Sequence, residues 1–209
     1  MNKNRKPEWV ISKEKQLEKN PPRRVWLYGI HAVRDAIKNQ NRVKHKLMLT
    51  ENAHKKIKDV LTTSSLFPEI LNPRKFLPPL ELNAVHQGVA LEVSPLHWGS
   101  ISEVCAPRND NKLVLLLDRV TDPQNVGAIL RSAEVFGATA IATAARYSVP
   151  ETGALAKAAS GSLERQPYLR VPNLARAIFS LKQMGYFCIG LDSSSNVDIV
   201  DGLEKIPKG

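Results

Sequence analysis

From Val25 onward, short apolar runs alternate with amphipathic stretches. Tyr28-Gly29-Ile30-His31-Ala32-Val33 leads into a helical pattern that continues through Asp35, Ala36 and Ile37. Lys46 to Leu49 has the apolar density of a short strand. Asn52 is placed to cap a helix running to Leu61, with Ala53, Ile57, Val60 and Leu61 on one face. Pro73 opens a short helix through Phe76 and Leu77. Gly88 to Val93 predicts a strand, stopped by Pro95. Residues 25–95 therefore form a small α/β unit. Residues 96–111, with Gly99, Pro107, Asn109, Asp110 and Asn111, have the composition of a linker.

A second pattern occupies residues 112–209. Leu113 to Leu117 is a continuous apolar run, expected of a strand covered on both faces. The polar loop Asp122-Pro123-Gln124-Asn125 leads into a helix from Val126 to Phe136, and Gly137 ends it. Thr139 to Thr143 is the next strand, Leu155 to Ala159 is helical, and Pro167 to Val171 is extended. Asn173 caps a helix through Leu174, Ala177, Ile178, Leu181 and Met184, closed by Gly185. Tyr186 to Leu191 predicts a further buried strand. This alternation predicts a parallel sheet with crossover helices.

Composition narrows the function. No apolar run approaches the ~20 residues of a membrane span. Residues 1–24 are a polar tail expected to be disordered, with eight lysines and arginines against three glutamates, a net +5. That tail holds no apolar signal core, and its glutamates argue against a transit peptide. Cys105 and Cys188 stand far apart, as reduced thiols of a cytoplasmic protein would. The formal net charge of the whole chain is +10. A basic surface neutralises phosphates, so nucleic acid is the first partner to consider. The five histidines lack metal-ligand spacing with cysteines or carboxylates, so no metal is assigned. Ser160-Gly161-Ser162 lacks the nucleophile elbow of a hydrolase, and no Gly-x-Gly-x-x-Gly follows the Leu113 strand.

Leu116-Leu117-Asp118-Arg119-Val120-Thr121-Asp122-Pro123-Gln124-Asn125-Val126-Gly127-Ala128-Ile129-Leu130-Arg131 is the most informative segment. It reads as a strand, a polar loop and a helix start, and open parallel sheets bind ligands at the carboxyl ends of their strands. Asn125 is placed as a helix cap, Gly127 allows close approach to the first turn, and Arg131 lies one turn later. Geometry alone leaves a plain structural reading open, in which Asn125 caps, Gly127 packs and Arg131 pairs with Glu134.

Asn125-x-Gly127-x-x-x-Arg131, preceded by Leu117-Asp118-x-Val120-x-Asp122-Pro123 and followed by Phe136-Gly137, resembles the first motif of the TrmH/SpoU family of RNA ribose 2′-O-methyltransferases. Tyr28-Gly29-Ile30-His31-Ala32-Val33 and His86-Gln87-Gly88-Val89-Ala90-Leu91 resemble that family's substrate-binding domain, which is similar to ribosomal protein L30e. Ser160-Gly161-Ser162-Leu163-Glu164 and Val171-Pro172-Asn173-Leu174-Ala175-Arg176-Ala177-Ile178 resemble its mid-domain. The likeness covers roughly residues 27–191 and is strongest to members that methylate a guanosine ribose of 23S ribosomal RNA.

The resemblance implies an α/β fold, with a small L30e-like domain followed by an incomplete SPOUT (α/β-knot) parallel-sheet domain. It implies S-adenosylmethionine as methyl donor, ribosomal RNA as substrate and a homodimer. Arg131 would be the catalytic arginine, Asn125 would help organise it, and Glu164 would hold that arginine or a backbone loop. A surface carboxylate paired with Arg165 or Lys157 is the alternative for Glu164. A guanidinium yields its proton only far above neutral pH, and neutralising one at pH 7 costs roughly 9 kcal/mol. A hydrogen-bonding role toward ribose or phosphate is therefore expected rather than that of a general base.

The family's two later motifs, a Gly-x-Glu-x-x-Gly loop and an Ile-Pro-Met segment leading to Ser-Leu-Asn-Val-Ser, do not occur here. By the resemblance they would lie beyond Gly209, the last residue of the sequence. The cofactor-binding residues are thus unassigned, and a truncated methyltransferase domain is expected over residues 112–209. Such a chain should not bind S-adenosylmethionine measurably alone, and its sheet should expose an edge and an uncovered apolar face. The alternative is a non-catalytic RNA-binding remnant of the family.

Overall fold

The computed structural model describes residues 24–107 and 113–204. The basic tail expected over residues 1–24 lies outside them apart from Arg24, as does part of the segment read as a linker. Gly209, past which the resemblance puts the cofactor-binding motifs, also lies outside the described residues. The expected methyltransferase domain is therefore described as far as Glu204 rather than to Gly209. The described residues divide into two compact units. The first is Arg24–His97 together with Glu151–Glu164, and the second comprises the remainder.

In the first unit, β1 (Val25–Tyr28), α1 (Ile30–Lys38), β2 (Lys44–Thr50), α2 (Glu51–Leu61), β3 (Pro68–Leu71) and β4 (Val89–Val93) follow in order. The sheet order is β1-β4-β2-β3, with β2 and β3 parallel and the other pairs antiparallel. Its core is dense. Leu27, Val33, Leu47, Leu49, Ile57, Val89 and Leu91 are all essentially sealed from solvent. Thr50, not Asn52, caps α2, its side chain accepting the Ala53 N–H at 3.4 Å. The helix begins at Glu51, ahead of its first apolar residue, and so hydrophobic periodicity misses its start. The helix expected from Pro73 to Leu77 is a single 3-10 turn, Pro73–Lys75.

The two sequence motifs of this unit meet. Gln87 and Gly88 both have positive φ. The Gln87 side-chain oxygen accepts the Ile30 N–H at 2.9 Å, satisfying an otherwise orphaned donor at the start of α1. A Cβ on Gly88 would sit 2.3 Å from the Thr50 hydroxyl, so no larger residue fits. Thr50 in turn donates its N–H to the Gly88 carbonyl at 2.8 Å.

The second unit contains α3 (Ile101–Val104), β5 (Val114–Leu117), α4 (Pro123–Val135), β6 (Ala140–Ala144), β7 (Tyr168–Val171), α6 (Leu174–Gln183) and α7 (Ile199–Glu204). The helix between β6 and β7, α5 (Gly153–Ala159), belongs to the first unit. The sheet is parallel throughout, in the order β5-β6-β7. Its core gathers Cys105, Ala140, Ala142, Leu169 and Leu181, with Trp98, Ile101 and Val104 packed against it.

Several expectations are corrected here. The described part of residues 96–111 is not merely a linker: α3 carries a Ser100–Glu103 capping box, and Cys105 lies in the core. The division at residue 112 also shifts, because Glu151–Glu164 packs with the first unit. Tyr186 to Leu191 forms no strand; its burial alternates, with Tyr186 and Cys188 half-buried and Phe187 and Ile189 exposed. A strand needs a ladder partner as well as an apolar period, and none pairs with this segment among the described residues. Finally, β5 is half-buried along its length, as befits an edge strand rather than one covered on both faces. No described helix is long and apolar enough to cross a membrane.

Candidate functional site

The loop from β5 to α4 lies at the carboxyl rim of the parallel sheet. Pro123 occupies the first helical turn, and the Asp122 carboxylate accepts the Gln124 N–H at 3.0 Å. Asp122 is therefore the cap expected of Asn125, because proline extends the helix three residues toward the loop. Asn125 then stands within the first turn with its side chain exposed. Gly127 is buried on the inner face beside Val126 and Leu130. Arg131 is exposed, and among the described residues its side chain makes no hydrogen bond or ion pair. Glu134, which could have paired with it, instead accepts two bonds from Arg165. A guanidinium left uncommitted next to a strand-end loop is available to a ligand.

Glu164 lies elsewhere. It is 6% exposed and belongs to the first unit. Its two oxygens accept Arg42 Nε at 3.0 Å and Arg42 Nη2 at 2.6 Å, a bidentate pair. Asn39 adds a bond of 2.9 Å to the same carboxylate. Arg42 also donates to Glu151 and, at 2.9 Å, to the Ser94 carbonyl. The Leu96 N–H reaches the other Glu151 oxygen at 3.0 Å. Of the roles expected of Glu164, holding Arg131 and pairing at the surface give way to this buried network, in which its carboxylate instead holds the loop side chains Asn39 and Arg42. Arg42 and Glu164 are too far apart in sequence for local spacing to reveal the pair.

Burial alone would weaken Arg42's hold on its proton, but Glu164 and then Glu151 outweigh that and raise its pKa. Burial likewise pushes the Glu151 carboxyl up, by more than Arg42 and the Leu96 N–H restore. No buried side-chain nitrogen or oxygen among the described residues lacks a partner.

At the same rim as Asn125, the chain assembles an aromatic–guanidinium cluster that sequence reasoning missed. Arg119 follows β5, and the 3-10 turn Ala145–Tyr147 follows β6. The guanidinium carbons of Arg119 and Arg146 lie 5.6 and 5.5 Å from the Tyr147 ring centre. Arg119 adopts a left-handed backbone at φ 54°, which costs a residue with a Cβ roughly 1–2 kcal/mol. Arg170, on β7, donates to Ser148 Oγ at 3.0 Å and to the Ala145 carbonyl at 2.7 Å, bracing the turn. An arginine at or just past each parallel strand end was the available signal.

An open depression near the carboxyl end is lined by residues of Ile189–Gly202, including Asp192, Ser195, Asn196 and Asp198. Its carboxylates are committed within the same run. Asp192 accepts the Ser194 N–H, whose donors hold its carboxyl below the ordinary range, and Asp198 accepts the Val200 N–H at 2.8 Å. Both carboxylates are thus engaged locally, and no residue of the depression is assigned to a cofactor. No group of histidine, cysteine or carboxylate side chains among the described residues could hold a metal ion.

Comparison with known proteins matches both units. Residues 112–206 match the SpoU rRNA Methylase family, and residues 26–98 match the family described as RNA 2′-O ribose methyltransferase substrate binding. A TrmH family tRNA/rRNA methyltransferase of Staphylococcus haemolyticus is 32% identical over 187 residues, covering 87% of this chain and 74% of that protein. An uncharacterized tRNA/rRNA methyltransferase of Synechocystis is 33% identical over 172 residues, covering 78% of this chain and 44% of its own length. Among solved structures, the SpoU methyltransferase AviRb of Streptomyces viridochromogenes, in complex with AdoMet, superposes with a TM-score of 0.61 at 20% identity. That match covers 82% of this chain and 63% of AviRb. An AdoMet-bound rRNA methyltransferase of Sinorhizobium meliloti gives a TM-score of 0.58 at 18% identity, covering 84% of this chain and 63% of that one. At such identities the structural likeness speaks to the fold alone.

Proposed function

Because the chain belongs to the SpoU/TrmH family of RNA methyltransferases, we propose that it methylates a ribose 2′-hydroxyl of 23S ribosomal RNA, with S-adenosylmethionine as donor. In this reading it acts in the cytoplasm as a homodimer. The observation that carries it is the exposed, uncommitted Arg131 one turn after the buried Gly127, within a helix that begins at a strand end.

The sulfonium donor brings a methyl group that is already activated, so the protein's task is alignment. Arg131 offers a planar fork of donors that matches ribose and phosphate oxygens better than a lysine ammonium does. It fixes the sugar without giving up its proton. Asn125, exposed in the first turn of the same helix, supplies a second polar contact that helps orient the RNA and the guanidinium. Glu164 has no part in this step, since Arg42 and Asn39 already occupy its carboxylate.

The test uses the complete chain, labelled S-adenosylmethionine and large-subunit ribosomal RNA, with the product read as an alkali-resistant ribose linkage. Arg131→Lys preserves charge and removes the fork, and should lower transfer by about 100-fold or more. Near-normal turnover in that variant would overturn the assignment. RNA binding by the unaltered chain without any transfer would instead favour a binding role alone.

A further inference from the structure

The three strands of the second unit run parallel, so their carboxyl ends share one rim. Each end delivers an arginine: Arg119 two residues past β5, Arg146 two residues past β6, and Arg170 within the last residues of β7. Two of these guanidiniums stand over one half-exposed ring, that of Tyr147. Among the described residues neither Arg119 nor Arg146 makes a hydrogen bond or ion pair, so all their donors remain free. Bringing two like charges to one aromatic ring is unfavourable unless something anionic joins them. The arrangement is nonetheless built rather than accidental. Arg119 is held in a left-handed backbone, and Arg170 pins the turn that presents Tyr147 by bonding Ala145 and Ser148.

A planar aromatic flanked by free guanidiniums at a strand-end rim suits one ligand chemistry: a nucleobase with its adjoining phosphates. Bases of single-stranded RNA stack on tyrosine rings and guanidinium planes, and the same arginines take the phosphate charge. We propose that Tyr147, Arg119 and Arg146 form a nucleotide subsite that stacks one base of single-stranded RNA and neutralises its neighbouring phosphates. This rests on the reading that RNA is the substrate, and it assigns residues that methyl transfer itself does not need. Stacking is largely indifferent to base identity, so the subsite fixes the path of the strand rather than its sequence.

The experiment measures binding of the complete chain to two labelled single-stranded oligoribonucleotides of equal length and charge, about ten nucleotides long, one bearing bases and one abasic. Tyr147→Ala should weaken binding of the base-bearing strand by about 5- to 150-fold and leave the abasic strand unchanged, and Tyr147→Phe should restore the loss. Arg119→Ala and Arg146→Ala should weaken both strands and each lower the salt slope by about 0.7. Equal losses on both strands for Tyr147→Ala would mean a merely structural ring, and unaltered binding of the base-bearing strand would overturn the subsite directly. In either case the RNA-directed function would still stand if the unaltered chain binds RNA. If the unaltered chain binds neither strand, the functional reading falls and the subsite with it.

Discussion

The two units answer the same problem differently. In the first, four strands carry a sealed core of branched residues, and its buried polar groups close on one another around Arg42. In the second, three short strands share a smaller core in which Ala140 and Ala142 stand beside Cys105, Leu169 and Leu181, and β5 is half-buried. One unit satisfies its own chemistry, whereas the other leaves guanidiniums and rings open at its rim.

The sharpest way to break this contrast is Arg42→Ala. Removing the guanidinium strands Glu151 and Glu164 in a buried site, which should cost about 3–5 kcal/mol. Urea unfolding followed by Trp26 fluorescence, with the other tryptophans replaced by phenylalanine, should show the first unit melting early. An unchanged midpoint would mean that the network adds nothing. Next in size is a matched pair of truncations. Leu91→Ala, on sealed β4, should cost about 2–5 kcal/mol, whereas Leu116→Ala, on half-buried β5, should cost about 1 kcal/mol. Equal losses would erase the difference in packing between the two sheets.

A smaller effect concerns pH. Burial raises Glu151's pKa above its unfolded value, so the folded state holds this proton more tightly. Its contribution to stability is fully present below the unfolded carboxylate pKa and is lost as pH rises through the raised folded value. The stability difference between the unaltered chain and Glu151→Gln should therefore shrink or reverse as pH climbs from the acid side toward neutrality. A difference that stays flat with pH would contradict the shift. Smallest of all, Phe136→Ser should change stability by about 0.5 kcal/mol or less, because its ring is 78% exposed.

Much of the fold was legible because its elements are locally patterned. The strands around Leu47 and Leu91, the helix faces of Ile57 and Ala177, and the Asn173 cap all follow from period and composition. Helix starts were read too late at Asn52 and Asn125, because Thr50 and Asp122 cap a polar first turn that hydrophobic spacing cannot register. The strand Pro68–Leu71 went unread, since its proline and exposed Glu69 hide a pairing supplied entirely by β2. At the site, Asn125 to Arg131 lies in one continuous segment and could be recognised as such. The partner of Glu164, and the meeting of Arg119 with Tyr147, depend on which distant segments the fold brings together.

The helix α5 has a consequence for how the chain comes into being. Gly153, at its start, fits against β1 so closely that a Cβ would lie 2.5 Å from the Trp26 carbonyl oxygen. The stretch Glu151–Glu164 that contains this helix also carries both acids that neutralise Arg42. During synthesis the amino-terminal sheet must therefore wait, its arginine unneutralised and the flank of β1 bare, until β5, α4 and β6 have been made and α5 arrives behind them. A fragment ending at His97 would be frozen at that unfinished stage, open to proteases that spare the completed chain.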